Sequence, residues 1–154
     1  MPRGYLDYER QIKNLEARED DIWISSFPKC GTTWTQEMVW NIMNGVDIEQ
    51  AKKTKLDQRI PFLELCGLFD ASVVQTINED EKLKQPEVFK SVEFVENLPT
   101  SKRRIIKTHL SHDMLPDQVR EQNCKIIYVT RNPRDAVVSF YNHFKVLEGF
   151  QGEI

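Results

Sequence analysis

A parallel β-sheet flanked by helices is the fold class this chain predicts, and three observations predict it. Short apolar runs occur at 21–26, 104–108 and 125–130. Helix-type periodicity follows the first and the third, so strands and helices alternate along the chain. Both of those runs also pass into helix-start chemistry within a few residues, through Lys29-Cys30-Gly31-Thr32-Thr33 and Arg131-Asn132-Pro133.

The elements follow in order. Tyr5, Tyr8, Ile12 and Leu15 recur among charges at helical spacing, which predicts an amphipathic helix. Asp21–Ser26 alternates into a short strand. Thr33–Asn44 reads as a helix in which Trp34, Met38 and Ile42, with Val39 and Met43 beside them, share a core-facing stripe; Trp34 alone is assigned to a ligand, because it sits at the turn. Residues 47–60 are charged and poorly periodic, so a short helix or loop is expected. Phe62–Phe69 is apolar enough for a helical turn beside a cavity. Residues 76–104 are mostly charged and punctuated by Pro86 and Pro99, which predicts a mobile, partly helical surface segment. Arg104–Thr108 is the second strand. Lys125–Thr130 is the third, apolar enough to be central in a parallel sheet. The last helix runs from Pro133 to about Leu147, with Asn132 as N-cap, Pro133 at the first position and Asp135 at the third. Ala136, Val137, Val138, Phe140, Tyr141 and Phe144 make it apolar on most sides and predict a largely buried helix.

The chemistry concentrates at 27–34, Phe-Pro-Lys-Cys-Gly-Thr-Thr-Trp. A strand, a glycine turn and a hydroxyl-rich helix start make a phosphate cradle, because backbone N–H groups and the helix dipole both favour an anion there. Lys29 adds a full positive charge, and Trp34 adds an aromatic face. In the common nucleotide-binding loop the Lys follows the last Gly; here Lys29 precedes Gly31, so an ordinary ATP or GTP loop, and with it a small kinase, is disfavoured. The plain alternative is a buried strand-to-helix turn with a solvated Lys.

Phe27–Trp34 resembles the 5′-phosphosulfate-binding loop of the cytosolic sulfotransferases, Y-P-K-S-G-T-T-W, with Phe27 for Tyr and Cys30 for Ser. A thiol is a weaker hydrogen-bonding group than a hydroxyl, so Cys30 keeps the backbone N–H but weakens the side-chain contact. Three further segments are similar to the same family in the same order. They are Pro61-Phe62-Leu63-Glu64-Leu65, Lys107-Thr108-His109-Leu110, and Tyr128 through Tyr141 around Arg131-Asn132-Pro133-Arg134-Asp135. The loop and the helix after it look most like arthropod members.

The resemblance implies a P-loop-like fold and transfer of a sulfuryl group from 3′-phosphoadenosine 5′-phosphosulfate to a hydroxyl or amine of a small apolar acceptor. It implies that Lys29, Cys30, Gly31, Thr32 and Thr33 hold the 5′-phosphosulfate. Arg131 and Ser139 would hold the 3′-phosphate, and Trp34 would stack on the adenine. His109 is the implied catalytic base, Lys29 and Lys107 the implied electrostatic catalysts, and Phe62 and Leu65 acceptor-pocket positions; plain core is nearly as good a reading of those two. No metal is implied, since lysines stand where phosphoryl transferases use one. His112 and His143 read as surface or packing residues, and Arg134 as solvated or ion-paired.

Family domains are about twice as long as these 154 residues. The resemblance therefore implies a partial domain over 1–154, incomplete relative to the full fold, without the C-terminal 3′-phosphate loop or the dimerisation segment. Oligomeric state stays open on this ground. A non-catalytic chain that binds the bisphosphate nucleotide, or only pairs with a partner, is the alternative function.

Composition bounds the rest. A net charge of −3 offers no broad basic surface for nucleic acid, so any anion site is local. Cys30, Cys66 and Cys124 are odd in number and widely spaced, which predicts reduced thiols and a cytoplasmic protein rather than a disulfide framework. No signal-peptide pattern and no membrane-length apolar run is seen in the sequence, which disfavours the membrane-anchored Golgi sulfotransferases.

Overall fold

The computed structural model describes residues 5–69, 75–76, 79 and 90–147. The rest of the charged 76–104 segment, Pro86 included, lies outside the described residues. The elements in order are α1 (Tyr5–Asn14), β1 (Ile22–Ser26), α2 (Thr32–Met43), α3 (Ile48–Lys53), α4 (Leu56–Arg59), α5 (Ser91–Glu96), β2 (Ile105–Thr108), α6 (Asp117–Glu121), β3 (Lys125–Val129) and α7 (Pro133–Leu147). Single 3-10 turns stand at Cys66–Leu68 and His112–Met114.

The sheet is parallel with order β2-β1-β3. Ile22 pairs with Ile105 on one side and Lys125 on the other, so all three strands run in register to the same carboxyl edge. Parallel sheets bury both faces, and β1 does so along its whole length. Trp23 and Ile106 point into a core built with Tyr5, Ile12, Leu15, Leu63 and Val95. Ile22, Ile24 and Ile105 point the other way, into a second core with Val39, Trp40 and Ile60. The two-residue period of the strand divides these cores.

A buried ion pair closes the amino edge. Arg104 donates from Nε and Nη2 to the two Asp21 carboxylate oxygens at 2.8 and 2.6 Å, and from Nη2 to the Glu16 carbonyl. Asp21 also accepts from the Arg18 N–H. Here α1, β1 and β2 are joined at the point where their apolar faces begin.

Three packing expectations are corrected. The buried face of α2 is Thr32, Gln36, Val39 and Trp40, not the Trp34/Met38/Ile42 stripe. Trp34 is 79% exposed and Ile42 72%. The buried positions are i, i+4, i+7 and i+8, and the first of them, Thr32, bonds Ser26 Oγ through its hydroxyl at 2.5 Å. Secondly, β1 and not β3 is central. Ile127 and Val129 of β3 pack on the second core, while Ile126 and Tyr128 on the opposite face are exposed. Thirdly, α7 forms as expected, with Asn132 Oδ1 accepting from the Arg134 N–H, but Ala136 is its only buried residue among those described. It leans on the rest through Phe140, whose ring lies 5.6 Å from that of Phe27. Val137 and Val138 are exposed, so this apolar helix is only partly covered among the described residues.

Candidate active site

Brought together at the carboxyl edge are the turn after β1, the residues after β2 and the loop after β3. In α/β sheets this edge is where ligands bind. The turn after β1 is conformationally special. Lys29 has φ 68° and Gly31 φ 100°, both left-handed. A Cβ at Gly31 would meet no atom within 4 Å, so the backbone there faces open space. No side chain caps the twelve-residue α2. The first-turn N–H groups of an uncapped helix, beside an open glycine and a Lys, are donors available for an anion. The residues expected to form a cradle therefore fit a phosphate or sulfate group. Lys29 and Cys30 are half-buried, Thr33 is exposed, and Trp34 projects from the first turn into solvent. The Cys30, Cys66 and Cys124 thiols are all unpaired as disulfides.

His109 follows directly on β2 and sits against β1. Its Nδ1 lies 2.7 Å from the Ser26 carbonyl and 3.3 Å from Ser26 Oγ. A carbonyl oxygen only accepts, so Nδ1 carries the proton and Nε2 keeps its lone pair. Burial, and then the positive Lys107 nearby, lower the His109 pKa to about 4, against the opposing effect of the Ser26 bond. The imidazole is neutral at physiological pH and able to accept a proton.

Lys107 is half-buried, its Nζ 3.7 Å from the centroid of the Phe62 ring. Burial lowers its pKa, and Glu64 partly restores it. Phe62 also meets the His109 ring edge-on at 5.1 Å. Phe62 and Leu65, expected at an acceptor pocket, are both half-buried, and of the two it is Phe62 whose ring meets the His109 and Lys107 side chains. The segment reaches this place by pairing along the outer edge of β2: the Lys107 N–H donates to the Pro61 carbonyl and the Leu63 N–H to the Lys107 carbonyl, each at 2.9 Å.

Arg131, at the end of β3, is exposed and donates from Nη1 to the Lys29 carbonyl at 3.2 Å. It thus touches the cradle turn directly. Ser139 lies two turns into α7 and is half-buried. His112, His143 and Arg134 are exposed.

Two residues went unassigned in the sequence. Ser26 links Thr32 at the cradle to His109. Glu64 is 2% exposed, and its two oxygens accept from Thr108 Oγ1 at 2.9 Å and from the His109 N–H at 2.5 Å. The signal for Glu64 was its being the single charge within the apolar run 62–69.

An uncapped helix behind a glycine turn, with a neutral His and a desolvated Lys at the same sheet edge, belongs to a P-loop-like α/β fold. The family model of the sulfotransferase domain matches residues 19–152, and the chain belongs to the sulfotransferase family. Luciferin sulfotransferase of Photinus pyralis is 39% identical over 154 residues, covering 97% of this chain and 40% of that protein. Sulfotransferase 1E1 of Homo sapiens is 34% identical over 149 residues, covering 97% and 44%. Among solved structures, retinol dehydratase in complex with androsterone and inactive cofactor PAP superposes with a TM-score of 0.76 at 29% identity, over 93% of this chain and 45% of that one. Mouse sulfotransferase SULT7A1 complexed with PAP gives 0.63 at 28%, over 99% and 43%. The chain spans about two fifths of the length of the curated relatives it matches.

Proposed function

We propose that residues 1–154 are the donor-binding part of a sulfotransferase that moves a sulfuryl group from 3′-phosphoadenosine 5′-phosphosulfate to a hydroxyl or amine of a small apolar acceptor. The observation that carries the reading is the convergence of Lys29, Lys107, His109 and Arg131 at one sheet edge, tied by the His109–Ser26 and Arg131–Lys29 hydrogen bonds. Family membership supports it, as do the relatives solved with PAP.

The donor supplies an activated sulfuryl group, and the protein's part is to hold, orient and move a proton. Lys29, Cys30 and Gly31 with the Thr32 and Thr33 N–H groups would hold its 5′ end; Arg131 and Ser139 would hold the 3′-phosphate, and Trp34 would cover the adenine. Nε2 of His109 takes the acceptor's proton as the oxygen or nitrogen attacks, since an alcohol is a poor nucleophile unaided. Lys29 would offset the charge that grows on the leaving phosphate oxygen, and Lys107 would assist at the transferring group. Phe62 offers an aromatic wall beside His109, which suits a phenolic, steroid-like or retinoid-like acceptor. Three unpaired thiols support a cytoplasmic setting. No helix among the described residues is long and apolar enough to cross a membrane.

Binding of 3′-phosphoadenosine 5′-phosphate to the 154-residue chain by calorimetry tests the donor site. Loss of heat in both Lys29→Ala and Arg131→Ala is expected; a folded chain with no binding sinks the reading. A second reading is nucleotide binding without turnover. Turnover with labelled donor separates the two.

A further inference from the structure

We propose that Glu64 is a positioning residue: its carboxylate clamps the main chain at Thr108–His109 and thereby holds the His109 imidazole with Nδ1 on Ser26 and Nε2 as the proton acceptor. The inference rests on the reading of His109 as the base.

A buried carboxylate is unfavourable unless each lone-pair site finds a donor. Glu64 is fully buried, and its donors are both on the residues that carry the base. One oxygen takes the His109 N–H and the other the Thr108 hydroxyl. The Thr108 hydroxyl in turn accepts from the Leu110 N–H at 3.1 Å, so three successive residues are tied through one side chain. The bonds come from different sides of His109. Glu64 holds its backbone from the segment paired with the outer edge of β2, and Ser26 holds its ring from β1, the inner neighbour. The imidazole turns about two torsions, and holding both the His109 backbone and Nδ1 restricts the two together. Residues directly after a strand end otherwise leave the ladder and lose that constraint.

The charged and titratable groups facing Glu64 are Lys107, on the strand it pairs with, and Tyr5 of α1. Lys107 cannot replace the clamp, because an ammonium only donates. Removing the carboxylate relieves the burial of a charge, so an apolar side chain of similar length is compatible with folding. It leaves the His109 N–H without an acceptor.

The test uses the full 154-residue chain with nitrogen-15 histidine and nuclear magnetic resonance. His112 and His143 serve as internal references. In Glu64→Met the His109 ring is expected to lose its single Nδ1–H tautomer. Its pKa is expected to rise from about 4 toward the ordinary 6.5, as the ring moves away from burial and Lys107. Glu64→Gln keeps one oxygen for the N–H and offers an amide to the Thr108 hydroxyl, so tautomer and pKa should return. If Glu64→Met does not fold, Glu64→Asp gives the same reading, since it shortens the reach by one methylene. A His109 tautomer and pKa unchanged in the Met variant, or in Asp where Met is unfolded, overturns the proposal. Failure of the rescue in a folded Gln variant overturns it as well. The nucleotide reading fails separately: Glu64 is outside the cradle, so affinity for 3′-phosphoadenosine 5′-phosphate should stay within about twofold in a folded variant. A wild-type chain that binds no nucleotide, yet shows the His109 response, would remove the donor site and leave the clamp in place.

Discussion

His109 and Glu64 are perturbed in opposite directions, and that has a measurable consequence. Burial raises the Glu64 pKa to about 7 from 4.5, and burial with Lys107 lowers that of His109 to about 4 from 6.5. Between pH 4.5 and 6.5 the folded state binds more protons at Glu64 than the unfolded state does, so that group's contribution falls as pH rises. At His109 the unfolded state binds more, so its contribution rises with pH over the same window. The wild-type urea midpoint should therefore vary little from these two groups between pH 4.5 and 6.5. Glu64→Gln should expose the rising slope of His109, and His109→Asn the falling slope of Glu64. Equal slopes in all three proteins would remove the assignment. On activity, His109→Ala should lower turnover by about 10²–10⁴-fold, the usual worth of a positioned base, with nucleotide affinity retained. Gly31 is a separate case. A side chain there meets open space but is forced to φ 100°. Gly31→Ala should weaken nucleotide binding more than it weakens folding, read by calorimetry against thermal melting.

At the scale of elements, the strands meet α1 through the apolar core of Tyr5, Ile12, Trp23 and Ile106, and a buried ion pair at the amino edge adds to it. Arg104 and Asp21 are 2% and 0% exposed at their side chains. Asp21→Ala leaves a buried guanidinium without its carboxylate and should cost about 3–5 kcal/mol, measured by urea unfolding. Replacing both partners by apolar residues should cost far less. The clamp between α2 and α4 differs. Arg59 forks onto Glu37 at 2.7 and 3.0 Å and lies over the Trp40 ring at 4.6 Å, but Glu37 is 41% exposed. Water screens this pair, so Glu37→Ala should cost no more than about 1 kcal/mol.

At the scale of the molecule, two apolar surfaces lie open: Trp34, Met38 and Ile42 along α2, and Val137 and Val138 on α7 with Tyr128 on β3. Exposed large apolar side chains in this number favour association. The isolated chain should self-associate with rising concentration and bind a hydrophobic dye, and a monodisperse monomer at high concentration that excludes the dye would contradict this.

How much of this was legible from residues alone differs by level. The strands were legible because a parallel sheet demands apolar runs, and the cradle because Lys29, Gly31 and the two threonines are residue types chosen by backbone geometry and charge. The α1 helix was legible from Tyr5, Ile12 and Leu15, whose spacing matches one helical face. The rotation of α2 was not: its buried face, Thr32, Gln36, Val39 and Trp40, is half polar, and it is anchored by the Thr32–Ser26 hydroxyl contact, which no apolar pattern reports. The rank of β3 was not legible either, since apolar content reports what a strand can bury and not what covers it.

The sequence by itself determined the α/β class, the start of α7 and the residue types of the turn at 27–34, because these follow from local conformational preference; the expectations at 107–109 and 131 came from the resemblance of those segments to a family. Only the tertiary structure decided that β1 is central, that Ser26 sets the His109 tautomer and that Glu64 grips its backbone. Those contacts join residues 83 and 45 positions apart, and such pairings exist only once the strands have fixed their register.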